Sequence, residues 1–566
     1  MCMENNYEYL TTCVGQQGLF GNEISQEELI EIIARYPAIL WLDLFSKIEG
    51  FLLIPREKEF DVHAFLIANL FCPSALERTA RKANQGSVFF TLGQLNLLRK
   101  LAIMYGNDSN QTEIDKTDIS KALLATQDIH NMYDEIPNGS ESEKFENFCK
   151  FVARNGYLNN NTDSSTLFFR AKKIYVDQSN KLEIYPNISF NDFFTEKVGL
   201  TPEEAIALNF ALATPFFQAK EKLFGQTAIL PTDYFGQTTI DTNLTSSIIE
   251  SMAIDFETAK EILMRDFHEK DLATLPTGYD LSIFRKTPLI KLADGRLVCA
   301  NLSCLLEKST QNAIWMPTKG VSSEDRQNLI HHLTHYRGRL FEEYLKELCS
   351  IMVEKNVNLS FKHIPPEATA DHEEVGDSIL IQGNKLIIFE AKSRQFLESF
   401  KSTGDWEKDP SFISELLKAA HQIETAATKI RSGLISDLEI NPNQIEKIYP
   451  VVVTYEAVPM HGKMQRFIRQ KIQETGYLTD DIFAPLEVIT IGDVEHSIDA
   501  VDTISMIELL DRKNLLSDPH ASESNFHNFF TEYVRDNDVI CNGWQAQQVE
   551  QMWEDLIRPF FRDKFK

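Results

Sequence analysis

VGDSILIQGNKLIIFEAK, residues 375–392, contains two runs rich in Ile, Leu, Val and Phe separated by Gly383-Asn384. That dipeptide suits a two-residue turn whose central residues need positive φ, so the stretch reads as a β-hairpin. The turn sets the register. With Gln382 opposite Lys385, pairing runs outward through Ile381 and Leu386, then Ile379 and Ile388, and brings Asp377 opposite Glu390. Val375, Ile379, Ile381, Leu386 and Ile388 share the face of the two carboxylates, while Leu380, Ile387 and Phe389 occupy the other. Large apolar residues on both faces predict a sheet covered on both sides.

Like charges directly opposed in a sheet are destabilising; at about 5 Å and an effective dielectric of about 20 the repulsion is roughly 3 kcal/mol before desolvation. A cation removes that cost. Mg²⁺ takes one or two carboxylates together with phosphate oxygens and waters, so Asp377 and Glu390 fit it in number and chemistry. Lys392 lies two residues beyond Glu390 and projects from the same face, where an ammonium can meet an attacking water or charge developing on phosphorus. Polar alternation on solvated strands produces Glu-x-Lys constantly. Here the charges end a hairpin that is apolar on both faces, a setting in which ionisable clusters mark functional sites.

The flanks extend the pattern. GRLFEEYLKELCSIMVE (338–354) carries apolar residues at helical spacing, with Glu342 bordering the apolar face. NVNLSFKHI (356–364) reads as a strand, followed by a loop at Pro365-Pro366; 411–430 reads as a second amphipathic helix, KIYPVVVTY (447–455) as a buried strand and LEVITI (486–491) as a further strand. The order is helix, three strands, helix, strand.

This order, with Asp, turn and Glu-x-Lys, resembles the PD-(D/E)XK nuclease superfamily, the restriction-endonuclease-like fold, over about residues 335–500. The resemblance implies that Asp377 and Glu390 are metal ligands, Lys392 the catalytic lysine and Glu342 an accessory ligand or water-positioning group. Distant members of the RecB and Mrr type carry a Gln on the following helix, matched here by Gln422. The sequence departs from the pattern at Gly376, where a Pro commonly precedes the Asp, and at position 426, where Ala stands in place of a RecB-like Tyr. The implied activity is Mg²⁺-dependent phosphodiester hydrolysis, with Mn²⁺ as a substitute ion. DNA is the expected substrate, RNA remains open, and restriction or anti-phage defence is the analogous setting. The competing reading is a non-catalytic scaffold that keeps the fold.

Composition bounds these expectations. A chain of 566 residues with 43% hydrophobic and 25% charged residues is an ordinary globular sequence, long enough for two to four domains. The net charge of −27 opposes an extended phosphate-binding surface, so basic groups for nucleic acid must be local. Arg394 beside the hairpin, and Lys463, Arg466 and Arg469 in HGKMQRFIRQKIQ (461–473), are the candidates for backbone contact. The eight cysteines are scattered without CxxC pairs, which predicts a reduced cytoplasmic setting and no cysteine zinc site. His331 and His335 stand one helical turn apart, but no third ligand has a supporting spacing. The first residues lack a signal pattern and no run approaches about 18 apolar residues, so no membrane association is expected.

Residues 1–280 read as a mostly α-helical region of unassigned role, a candidate for substrate selection or protein partnering. Helical periodicity covers 24–48, 91–105 and 241–263, and Thr201-Pro202 with Glu204 forms an N-terminal capping signal. Polar stretches at 134–143 and 159–165 read as exposed loops. There is no glycine-rich phosphate loop. Residues 281–330 read as a connecting hairpin around Ala293-Asp294-Gly295 and a helix, 331–500 as the nuclease-like domain and 501–566 as a helical C-terminal segment. The expected architecture is therefore multidomain: helical N-terminal region, α/β restriction-endonuclease-like core in the order α-β-β-β-α-β, then helices.

Overall fold

The computed structural model describes residues 14–53, 62–83, 89–133, 140–158, 164–218, 228–231, 233–269, 277–365, 375–435, 438, 440–456, 458, 462–516 and 525–564. Most of the two stretches read as exposed loops, at 134–139 and 159–163, lies outside these residues. The described chain is mostly helical, with mixed sheets concentrated in its C-terminal half.

In the N-terminal region the periodic stretch 24–48 is two helices, Gln26–Ala34 and α1 (Ala38–Leu52), because Pro37 lacks an N–H and restricts the residue before it. Helix α2 (Leu92–Tyr105) starts at Thr91, which forms a reciprocal capping box with Gln94. The Thr201–Glu204 box forms as expected, at 3.1 Å in both directions. An ion pair between Glu49 on α1 and Arg99 on α2 is sealed from solvent. Glu49 also accepts from the N–H groups of Leu302 and Ser303, at 2.8 and 3.0 Å, and so caps the helix Leu302–Ser309 through space. One carboxylate thus ties the helical region to the element following the connecting hairpin.

That hairpin forms as read, in a four-stranded sheet of β1 (Ile229–Leu230), β2 (Ala253–Asp255), β3 (Leu289–Lys291) and β4 (Leu297–Cys299), ordered β1-β4-β3-β2. The periodicity over 241–263 conceals β2. It interrupts the helix, giving Thr242–Met252 and Phe256–Glu269, because Ala253–Asp255 pairs in parallel with β3, a long-range bond set that overrides local propensity.

The second sheet has five strands, β5 (Ser360–Lys362), β6 (Ser378–Gln382), β7 (Lys385–Lys392), β8 (Lys447–Thr454) and β9 (Glu487–Thr490), in the order β9-β8-β7-β6-β5. β5, β6 and β7 are antiparallel, whereas β8 runs parallel to both β7 and β9. β5 is shorter than the run 356–364 suggests. Helix α3 (Ser323–Lys355) precedes it, longer than the 338–354 face alone indicated, and α4 (Pro410–Arg431) connects β7 to β8. The element order helix, three strands, helix, strand is present, with a short helix at Glu398–Thr403 inserted before α4.

Both faces of this sheet are covered. Ile379, Ile381, Leu386, Ile388, Ile448 and Val452 pack with Leu416, Ala419, Ile423 and Ala427 of α4. Leu380, Ile387, Phe389, Val451 and Val453 pack on the other side with Leu340, Phe341, Tyr344 and Leu348 of α3 and with residues from 167–216 and 489–560. Packing on that side is continuous from the N-terminal half to the C-terminal helices. Among the described residues no helix is long and apolar enough to cross a membrane.

Candidate active site

The hairpin register is the one the turn dictates: Gln382 pairs with Lys385, Ile381 with Leu386, Ile379 with Ile388 and Ser378 with Phe389. Beyond Ser378 the ladder departs from regularity. The Asp377 N–H donates to the Phe389 carbonyl at 3.1 Å, and one Asp377 carboxylate oxygen accepts from the Ala391 N–H at 2.5 Å. Gly376 permits this through φ +64°; a Cβ there would lie 2.9 Å from Ile388 Cγ2. The simple face-to-face placement of Asp377 and Glu390 is thereby corrected. Asp377 is bound to the β7 backbone one residue past Glu390.

Glu390 and Asp377 are both buried, at 3% and 4% exposure, on the side of the sheet that α4 covers. Lys392 donates to Glu390 Oε1 at 2.8 Å and to Gln422 Oε1 at 3.1 Å. The reach from α4 follows from its sequence: Ala419, Ala420, Ala426 and Ala427 are small buried residues that let the helix approach the strands closely. Gln422, known at the outset only as a match to a family pattern, is thus in direct contact with the lysine. The parallel strand β8 places Val452 beside Glu390 and Thr454 beside Lys392.

Glu342 is half-buried on α3, the helix against the opposite face. One turn further along, Lys346 contacts His363 Nε2 at 3.2 Å, and His363 Nδ1 contacts the Asp377 carbonyl at 3.2 Å. A carbonyl only accepts, so Nδ1 carries the proton and Nε2 accepts from the ammonium. Lys346 and His363 therefore connect α3 to the Asp377 end of the hairpin, a link that no local spacing announces.

Arg394 and Arg469, among the basic candidates, are held by intramolecular partners. Arg394 pairs with Asp409, whose side chain is sealed from solvent and also accepts from the Leu397 N–H at 3.0 Å and Ser411 Oγ at 2.8 Å. Arg469 donates to Glu487 Oε1 at 2.7 Å and to the Leu486 carbonyl at 3.2 Å. These arginines fix the post-hairpin segment and the edge strand. Lys463 and Arg466 lie on α5 (Gly462–Glu474), where Arg466 is exposed. His331 and His335 are exposed on α3 with ring centroids 4.6 Å apart.

The segment after β7 is also wired to the helical half. Arg285 pairs with Glu307 at 3.2 Å and with Glu398, while Lys401 pairs with Glu456 and lies 3.6 Å from Glu307. Burial opposes ionisation of Glu307, yet Lys401 and Arg285 together hold its carboxyl below the usual range. Apart from Lys401, a basic residue that the sequence already places beside the hairpin, these charges were not singled out in the sequence. They fix the backbone immediately beyond Lys392.

Comparison of the chain with protein-family models, curated proteins and solved structures finds no match.

Proposed function

We propose that this chain is a metal-dependent nuclease that hydrolyses phosphodiester bonds in DNA, in the manner of the PD-(D/E)XK enzymes its hairpin resembles. The observation that carries the reading is the contact set at one end of the hairpin: Lys392 bonded to both Glu390 and Gln422, with Asp377 held on the adjacent strand end. Asp377 and Glu390 are hard oxygen donors at the same end of the hairpin, chemistry that suits Mg²⁺ or Mn²⁺. They would hold the ion. When bound, such an ion polarises the phosphate and activates water. Gln422 and Glu390 fix the Lys392 ammonium, which places positive charge where the phosphate gains negative charge. The Ala391 N–H orients Asp377, and burial beneath α4 keeps both carboxylates from swinging into solvent. A setting in restriction or anti-phage defence belongs to this proposal by analogy.

The test uses the purified full chain with plasmid and single-stranded DNA, and RNA in parallel, in Mg²⁺ or Mn²⁺. Metal-dependent cleavage should disappear in Asp377→Ala. Full nicking by that variant removes the assignment. Absence of cleavage in either metal, together with no metal-dependent stabilisation, favours the non-catalytic scaffold instead.

A further inference from the structure

A second group of ligating side chains lies at the end of the edge strand β9, whose last residue, Thr490, is level with Lys392 across the intervening strand β8. Strand β9 ends at Thr490, which is also the N-cap of α6 (Ile491–Ala500). The capping box is complete: the Asp493 N–H donates to Thr490 Oγ1 at 3.1 Å, and Asp493 Oδ2 accepts from the Thr490 N–H at 2.8 Å and hydroxyl at 2.9 Å. These bonds lock the carboxylate and aim its other oxygen, Oδ1, toward His527 Nδ1 at 3.1 Å. His527 comes from α8 (Phe526–Asp536), a helix that packs on β9 and α6; α7 (Met506–Asn514) lies between them in sequence. His496 stands three residues after Asp493 and so shares its helix face.

One ligand atom from each of Asp493, His496 and His527 lies within 4.8 Å of the other two. His496 Nδ1 is buried and has no hydrogen-bond partner. A buried polar atom left unsatisfied is costly and rare enough to require an explanation. We infer that Asp493, His496 and His527 form a binding site for Zn²⁺. Two imidazoles with one carboxylate match the donor preference of zinc rather than of Mg²⁺, whose ligands are oxygens. Three protein ligands leave the fourth tetrahedral position for water. The Arg170 guanidinium lies 3.2 Å from where a Cβ on Gly492 would sit, and its charge is matched by Glu495, which accepts from it at 2.9 and 2.6 Å. The His527 side chain is 53% exposed and gives the ion a route from solvent. Bound there, zinc fastens α8 to the corner where β9 becomes α6. This site shares no residue with the Asp377, Glu390 and Lys392 group, so the inference stands or falls separately from the nuclease reading.

The full chain, stripped with a chelator, is titrated with Zn²⁺ by calorimetry, and its metal content is measured after removal of excess ion. One equivalent should be lost in His496→Gln and again in His527→Ala, and retained in His331→Gln and Asp377→Asn, which control for the exposed histidine pair on α3 and for the carboxylate–lysine group. Zinc should raise the unfolding temperature of the wild type and leave that of His527→Ala unchanged. His527 is half exposed, and circular dichroism checks that its variant keeps the fold. Equal zinc content in His527→Ala and wild type overturns the inference, as does loss of the equivalent in His331→Gln alone.

Discussion

Replacing Lys392 by Met separates a metal site from a structural ion pair. The Glu390 side chain is 4% exposed and receives the Lys392 ammonium at 2.8 Å, while Gln422 receives it at 3.1 Å. Removing the ammonium takes one partner from a buried carboxylate and one donor from a half-buried amide oxygen. Breaking a buried pair in this way costs about 3–5 kcal/mol, which for a unit of 150–250 residues is on the order of 10 °C in unfolding temperature. If Asp377 and Glu390 bind a divalent ion, Mg²⁺ at roughly 100 times its Kd returns about 2.7 kcal/mol. The deficit relative to metal-free wild type should then shrink to about 0.3–2.3 kcal/mol. The assay is thermal or urea unfolding of wild type, Lys392→Met and Lys392→Met/Asp377→Asn, each in chelator and in Mg²⁺. Magnesium should rescue the single variant and leave the double variant where it was. The reasoning is refuted if Mg²⁺ shifts both variants equally, or if Lys392→Met in chelator is as stable as the wild type.

Three further perturbations probe the scaffold. Glu49→Ala leaves Arg99 buried without its carboxylate and takes the acceptor from the Leu302 and Ser303 N–H groups, while Asn301 still caps the helix, so urea unfolding should show a loss of about 3–5 kcal/mol; a loss below about 1 kcal/mol would deny the role of Glu49 as a tie between the two parts. Gly404→Ala places a Cβ 2.0 Å from the Lys150 carbonyl oxygen at φ +67°, and the strain and overpacking together should cost roughly 2–5 kcal/mol by the same measurement. Burial, with Lys286 and Lys319 nearby, brings the pKa of the Lys308 ammonium down to about 8 from the ordinary lysine value of 10.5. Between those pH values the unfolded chain binds more protons, so the penalty present below about pH 8 is relieved as pH rises, by at most about 1.4 kcal/mol per pH unit. Lys308→Met should flatten that rise in wild-type-minus-variant stability, and parallel pH profiles would contradict it.

The part of the fold legible in the sequence is the part encoded locally. Gly383-Asn384 fixed the β6–β7 register through turn geometry, and the alternation outward from it forecast a sheet covered on both sides, the cover being α4 on one face and α3 on the other. Thr201 acted within one turn of chain and its helix start was readable, whereas the break at Pro37, although local, was hidden by the apolar period over 24–48. Most of what else escaped reading depends on distant partners. Ala253–Asp255 is a strand because β3 lies beside it, although its own sequence continues a helical period. Asp377 leaves the regular register because Gly376 can turn and because the Ala391 N–H is there to receive its carboxylate.

The basic residues follow the same logic and change the functional argument. In the sequence, Arg394 and Arg469 are positive charges near a proposed phosphate site. In the fold, Asp409 and Glu487 claim them, and Lys401 is claimed by Glu456. A chain with net charge −27 has acids to spare for such pairs, and each pair formed inside the protein subtracts from what it can offer a polyanion. On the proposed reading Arg394 and Arg469 therefore add little to nucleic-acid affinity, and the charge at the point of chemistry would come from the divalent ion with Lys392, itself held by Glu390 and Gln422. That is an arrangement suited to gripping one phosphate at the point of chemistry, and poorly suited to following a long duplex by its backbone.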